Sequence, residues 1–130
     1  MISLKEIHQL NERADFQYIA SQLVKYYGLR SKIRFMSIPK NKADYDFDND
    51  IIKLRKSYPN VKDFIVSVLH EIHHAKQVKM YGKKKFLKKY IQAGDMAVWD
   101  GFDRYDKNKW EIRAENWAHH EYNRRWKNKF

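Results

Sequence analysis

The segment between Asn60 and Gly82 constrains the fold more than any other part of the sequence. Its apolar side chains recur at the three- and four-residue spacing that is typical of an amphipathic helix packed on a core. Asn60 is a favoured residue at a helix start, and Asp63 completes a capping-box-like pattern. Gly82 is favoured after a last helical turn. The segment therefore predicts a helix over residues 61–81, with these apolar positions: Val61, Phe64, Ile65, Val68, Leu69, Ile72 and Ala75.

The chain before this helix predicts one more helix and a small sheet. Helical spacing of apolar residues predicts a helix over residues 3–27, which ends before Gly28. Residues 33–38 are rich in β-branched and aromatic side chains and predict a strand. Residues 45–47 and 51–54 alternate around a polar turn and predict a hairpin.

The chain after this helix predicts two further helices and a loop. We expect a helix over residues 83–93, a loop rich in aspartate over residues 94–106 and a last helix over residues 108–126. The four tryptophans are expected in the core, and they are Trp99, Trp110, Trp117 and Trp126. The whole pattern predicts a single α+β domain over residues 1–130.

The amino-acid composition excludes several classes of protein and of functional site. The absence of cysteine excludes a disulfide scaffold, cysteine-ligated zinc, an iron–sulfur cluster and a thiol nucleophile. No apolar run is long enough to cross a membrane, and the first residues do not resemble a signal peptide. We therefore expect a soluble, cytoplasmic protein without a membrane partner. Its net charge of +11 favours association with polyanions.

The central helix carries the motif H-E-x-x-H as His70, Glu71 and His74. Histidines four residues apart lie on one face of a helix, where both imidazoles can bind one metal ion. Imidazole suits Zn²⁺, and a carboxylate beside the metal can take a proton from an activated water. The motif therefore predicts zinc ligands at both histidines and a general base at Glu71. The alternatives are a pair formed by His70 and His73, or histidines with a purely structural role.

A third zinc ligand is expected from the last helix. Glu111, Glu115 and His119 recur every four residues and form one polar stripe. Ala114 and Ala118 lie beside the stripe, and small residues allow two helices to approach closely. The residues alone leave the third ligand open among these three, with a solvated helix face as the alternative. His119 is also our candidate for stabilising an oxyanion, chosen over three other residues that suit this role chemically, which are His73, His120 and Tyr122.

These motifs together resemble those of gluzincin metallopeptidases. The run from His70 to His74, followed by Glu111-Ile-Arg-Ala-Glu115, is similar to H-E-x-x-H with a later E-x-x-A-D/E. A hairpin before the motif helix, over residues 45–56, and the run Glu111 to Ala118 resemble the ImmA/IrrE group in particular. This resemblance implies a compact zincin-like fold that hydrolyses a peptide bond, with a specific intracellular protein as substrate. It implies Glu111 as the third zinc ligand and Glu115 as the carboxylate that orients a ligating histidine.

Two basic segments indicate nucleic acid as a second possible class of partner. The segment Lys76–Lys89 holds seven lysines and no acidic residue, and Arg124–Lys129 forms a basic tail. Aromatic residues among such lysines are typical of nucleic-acid surfaces, although a solvated face has the same composition. The alternative function is therefore a non-catalytic module that binds nucleic acid or a regulator on a zincin scaffold.

Overall fold

The chain forms α-helices around a small sheet, in a computed structural model that describes the backbone of residues 4–130 and the side chains of residues 15–130. The predicted α+β class is confirmed. No helix in the described range combines the length and apolarity needed to span a membrane. The elements, in chain order, are α1 (Leu4–Tyr26), β1 (Lys32–Phe35), β2 (Ala43–Asp46), β3 (Ile51–Leu54), α2 (Val61–Tyr81), α3 (Lys83–Trp99), α4 (Lys109–Glu121) and a π-helical turn (Tyr122–Trp126).

The sheet has β3 at its centre, parallel to β1 and antiparallel to β2. β1 ends at Phe35, three residues earlier than predicted. The N–H of Met36 still donates to the carbonyl of Leu54 at 2.8 Å, but Leu54 is the last residue of β3. The strand stops there because its partner stops.

The predicted hairpin is present, with a turn that contains no glycine. β2 spans Ala43–Asp46, so Phe47 lies in the turn rather than in the strand as predicted. The Asp46 carboxylate accepts hydrogen bonds from the backbone N–H groups of Asp48 and Asn49, both at 3.1 Å. Asp50 adopts a left-handed conformation with φ of 54°. Aspartate and asparagine thus supply the turn chemistry that glycine often supplies.

The central helix α2 has the bounds that the sequence predicted. The Asn60 side chain accepts a hydrogen bond from the N–H of Asp63 at 2.8 Å, and Gly82 follows the helix with φ of 83°. The apolar face of α2 packs against α1 and the sheet in the main core. Five of its side chains are at most 1% exposed, and they are Phe64, Ile65, Val68, Leu69 and Ile72.

α3 is longer than predicted, because it continues through residues 94–99, which we expected to be a loop. Gly94 does not break the helix. A Cβ atom there would lie 2.9 Å from Cγ of Arg104, so the missing side chain makes room for Arg104. Ala93 and Ala97 are buried on the same helix. The small residues therefore mark close packing rather than a loop.

The prediction that all four tryptophans lie in the core is wrong for Trp99. Trp110 is 5% exposed, whereas Trp99 is 86% exposed. Trp117 and Trp126 are partly buried against the main core. Trp99 lies in the last turn of α3, where Met96 is exposed as well.

Asn108 joins the start of α4 to α3 inside the molecule. Its side-chain oxygen accepts from the N–H of Trp110 at 2.9 Å, and its Nδ2 donates to the carbonyl of Tyr90 at 3.0 Å. The residue is fully buried. It therefore caps α4 and fixes the position of that helix against α3.

We expect Asn108→Ala to lower the free energy of unfolding by about 2–3 kcal/mol, because the change removes a helix cap and the hydrogen bond to α3 and leaves a gap where a fully buried side chain was. Urea unfolding followed by circular dichroism measures this loss. The exposed Asn123 provides the matched control, and Asn123→Ala should change the value by less than about 0.5 kcal/mol. Equal losses in both variants would contradict this role of Asn108.

Candidate metal centre

The two histidines of the motif converge on one carboxylate. His70 and His74 lie one turn apart on α2, with ring centroids 4.9 Å apart, and both are buried. The Nε2 atom of His70 lies 3.0 Å from Oε1 of Glu111, and Nε2 of His74 contacts the same oxygen. Two imidazole nitrogens and a carboxylate oxygen therefore face a common point.

The other nitrogen of each ring is held by an oxygen acceptor. Nδ1 of His70 lies 2.7 Å from Oε2 of Glu115, and Nδ1 of His74 lies 3.1 Å from Oε1 of Gln77. An oxygen of either kind accepts a hydrogen bond, so both Nδ1 atoms carry protons and donate. This arrangement directs both Nε2 atoms toward Glu111 and matches the outer contacts that orient metal-ligating histidines.

The charge state of this cluster suits a divalent cation. Burial opposes protonation of His70 and His74, but their contacts with acidic side chains outweigh it and raise the pKa of both. Burial opposes ionisation of Glu111, yet hydrogen bonds from the two histidines hold its pKa far below the usual value. Acidic side chains that favour a positive charge on the two imidazoles would also favour a bound cation, and two imidazoles with a carboxylate are a donor set that zinc prefers.

α4 brings Glu111 to the histidines through close helix packing. Ala114 and Ala118 are fully buried, as the approach of α4 to α2 requires. The hydroxyl of Tyr90, on α3, donates to Oε2 of Glu111 at 2.8 Å. One carboxylate oxygen is thus held by α3, which leaves Oε1 for the histidines.

Glu71 is a buried carboxyl group beside the two histidines. It is 3% exposed, and its Oε2 has no hydrogen-bond partner among the described residues. Ligand atoms of His70, Glu71 and His74 all lie within 4.8 Å of one another. Burial raises the pKa of Glu71 to about 7, against the attraction of the neighbouring histidines.

A cavity of about 460 Å³ leads to this cluster. Its walls come from residues 40–43, α2, α4 and the loop before α4. His70, Glu71 and Glu111 all line it. A smaller cavity of about 260 Å³ lies against Glu71 and Glu111 as well, and Tyr105 lines both cavities. The candidate centre is therefore accessible to a small segment of another molecule.

The remaining histidines of the two helices have different positions. His119 lines the larger cavity and contacts Oε1 of Glu115 through Nε2 at 2.9 Å. It is therefore linked to His70 only through Glu115. His73 packs on Trp117, with ring centroids 5.1 Å apart, and burial lowers its pKa to about 4.

The structure thus brings together five of the predicted site residues, with His119 at the edge of the cluster. These five are His70, Glu71, His74, Glu111 and Glu115. His120 and Tyr122, the other residues considered for an oxyanion, are not among the side chains that line the larger cavity.

Sequence reasoning missed three residues of the site, which are Gln77, Tyr90 and Tyr105. Gln77 lies three positions after His74, so its i, i+3 spacing on α2 was a usable signal. Tyr90 and Tyr105 reach the site through the packing of α3 and of the following loop. No local pattern in the sequence marks them.

The chain matches no family model, no curated protein and no solved structure in comparisons with known proteins.

We expect the protein to bind one zinc ion per chain, and we expect His70→Ala and Glu111→Ala to lose it. Glu115→Ala removes the partner of His70 Nδ1 and of His119 but no proposed zinc ligand, and it should weaken zinc binding by about 10- to 100-fold. Zinc content by elemental analysis and a competition titration with a chromophoric chelator measure both effects.

His119→Ala serves as the matched control, because His119 touches Glu115 and neither ligating nitrogen. It should retain zinc. Circular dichroism identifies any variant that fails to fold. If Glu111→Ala retained zinc and His119→Ala lost it, the third ligand would be His119 and not Glu111.

Proposed function

We propose that this protein is a zinc-dependent metallopeptidase in which His70, His74 and Glu111 hold the metal and Glu71 is the general base. One observation carries the proposal. Oε1 of Glu111 contacts Nε2 of both histidines, and the carboxyl group of Glu71 lies beside them with an unpartnered oxygen. A ligand set with an adjacent base is what metal-assisted hydrolysis requires.

The proton transfers fall to Glu71. Zinc held by the three ligands would polarise the scissile carbonyl and lower the pKa of the attacking water. Oε2 of Glu71 takes up the proton of that water and returns it to the nitrogen of the leaving amine. Burial supports this role, because desolvation raises the pKa of a carboxyl group and makes its carboxylate a stronger proton acceptor than an exposed one.

An extended peptide is the substrate that the surroundings favour. β2 is an edge strand of the described sheet, and its first residue, Ala43, lines the cavity that reaches Glu71. An edge strand offers backbone groups that can pair with an extended chain. We therefore propose a protein or peptide as substrate, bound along β2 with one peptide bond at the centre.

Two side chains in the cavity wall can donate a hydrogen bond to the developing oxyanion. His119 is the candidate from the sequence, and its place on the wall supports it. Tyr105 can also donate a hydrogen bond, and it lines both cavities together with Glu111. We propose that this role belongs to one of these two residues.

The alternative of a non-catalytic zincin scaffold is less consistent with Glu71. A structural zinc site needs its three ligands, but it gains nothing from a further carboxyl group that is buried and has one oxygen without a hydrogen-bond partner among the described residues. Such a group costs folding free energy and is typical of a catalytic position.

We expect Glu71→Gln to retain zinc and to lose at least about 100-fold in peptide cleavage, because glutamine keeps the shape but cannot accept the proton. The substrate is a peptide library prepared from a whole proteome, and mass spectrometry counts the new termini. Zinc is measured on the same samples.

Asp106→Asn is the matched control, because Asp106 lines the same cavity without contacting the ligands. It should cleave at nearly the rate of the unaltered protein. Undiminished cleavage by Glu71→Gln with zinc bound would refute the proposed mechanism.

A further inference from the structure

A groove of about 910 Å³ lies on a different part of the surface from the candidate metal centre. It runs between the second half of α3, the following loop and the start of α4, and we call it the α3–α4 groove. Its walls include none of the proposed zinc ligands and not Glu71. The side chains that matter here are Lys89, Met96, Trp99, Phe102, Lys107 and Lys109.

Two aromatic side chains and one methionine are exposed to solvent in this groove. Trp99 is 86% exposed and Phe102 is 55% exposed. Met96, beside them, is also mostly exposed. An isolated exposed aromatic residue is ordinary, but two aromatic residues in one concave groove provide a surface on which planar groups can stack.

Lysines flank the aromatic residues on both sides of the groove. Lys89 lies on α3, whereas Lys107 and Lys109 approach from the α4 side. Lys107 lies over the ring of Phe102, 5.9 Å from its centroid. The ion pairs among the described side chains include none of these three lysines.

The acidic residues of the groove offset these charges only in part. Asp95 and Asp100 line it, but Arg104 forms an ion pair with Asp95. No acidic residue occurs from residue 83 to residue 94, the part of α3 that precedes Asp95. The groove therefore combines stacking surfaces with a net positive charge.

We propose that the α3–α4 groove binds single-stranded nucleic acid, with bases stacked on Trp99 and Phe102 and phosphates held by the flanking lysines. Unpaired bases expose the faces that stack on aromatic rings, whereas a duplex hides them. Lysine contributes a point charge without a fixed hydrogen-bond geometry, so the binding is tolerant of sequence. Zinc has no part in these contacts, so this inference is independent of the proposed function.

This groove differs from the two basic segments that the sequence indicated. Within Lys76–Lys89, Lys76 packs over Trp117 and Tyr27, and Lys83 pairs with Asp48. These two lysines thus contact other side chains of the protein. Of the segment Lys76–Lys89, only Lys89 lines the groove, and the other groove lysines, Lys107 and Lys109, lie after α3.

The test is fluorescence anisotropy of a labelled 12-mer of deoxythymidine, titrated with the full chain at several salt concentrations. We expect Trp99→Ala to weaken binding by about tenfold, as loss of one stacking residue does. Lys89→Glu combined with Lys107→Glu should weaken it further and reduce the slope of log affinity against log salt by about 1.4.

Two matched controls should leave the affinity nearly unchanged. Tyr18→Ala removes an aromatic residue that is 60% exposed on α1, away from the groove. Lys127→Glu combined with Lys129→Glu makes the same change of charge in the basic tail. Binding should also survive in His70→Ala, which lacks a zinc ligand.

Four results would overturn the proposal. The first is no binding of the 12-mer at low salt, and the second is equal losses in the groove and control variants. The third is displacement of the 12-mer by polyglutamate at the same charge concentration, which would indicate an acidic peptide as the partner. The fourth is a dimer that Trp99→Ala dissociates without changing the affinity for the 12-mer.

Discussion

The contact of one Glu111 oxygen with the Nε2 atoms of His70 and His74 is the interaction on which the candidate centre depends. It joins residues from two helices, so it exists only if α4 packs on α2 in one register. The fully buried Ala114 and Ala118 allow that packing, and the capping of α4 by Asn108 fixes where the helix begins. The charge of the centre is therefore set by helix packing rather than by the motif alone.

The fold could be predicted where local signals and tertiary packing agree. α2 has the predicted bounds because Asn60 and Gly82 act as caps in the structure as they do in isolated helices. α3 was predicted too short because the aspartates from residue 95 onward were interpreted as a loop, whereas Asp95 lies inside the helix and Gly94 before it packs closely against another element. The side chain of Arg104 fills the space that a larger residue would occupy, and no pattern within the helix shows this. The exposure of Trp99 likewise depends on how far α3 extends beyond the core.

The residues of the candidate site that lie close together in the sequence could be predicted, whereas those that meet only through helix packing could not. His70 and His74 follow from a spacing of four residues. The choice of third ligand among Glu111, Glu115 and His119 depends on the register between two helices, and the sequence alone left it open. The structure places Glu111 against both histidines, Glu115 behind His70, and His119 farther out, in contact with Glu115. Tyr90 and Tyr105 belong to α3 and to the loop that follows it, and no local sequence pattern predicts that they lie at the site.

The most direct test of the proposed zinc centre is a crystal structure of the protein grown with zinc, with diffraction data collected on both sides of the zinc absorption edge. We predict a single anomalous peak per chain, in contact with Nε2 of His70, Nε2 of His74 and the carboxylate of Glu111. A peak bound instead by His119 or His120, or no peak among these residues at saturating zinc, would contradict the proposed centre.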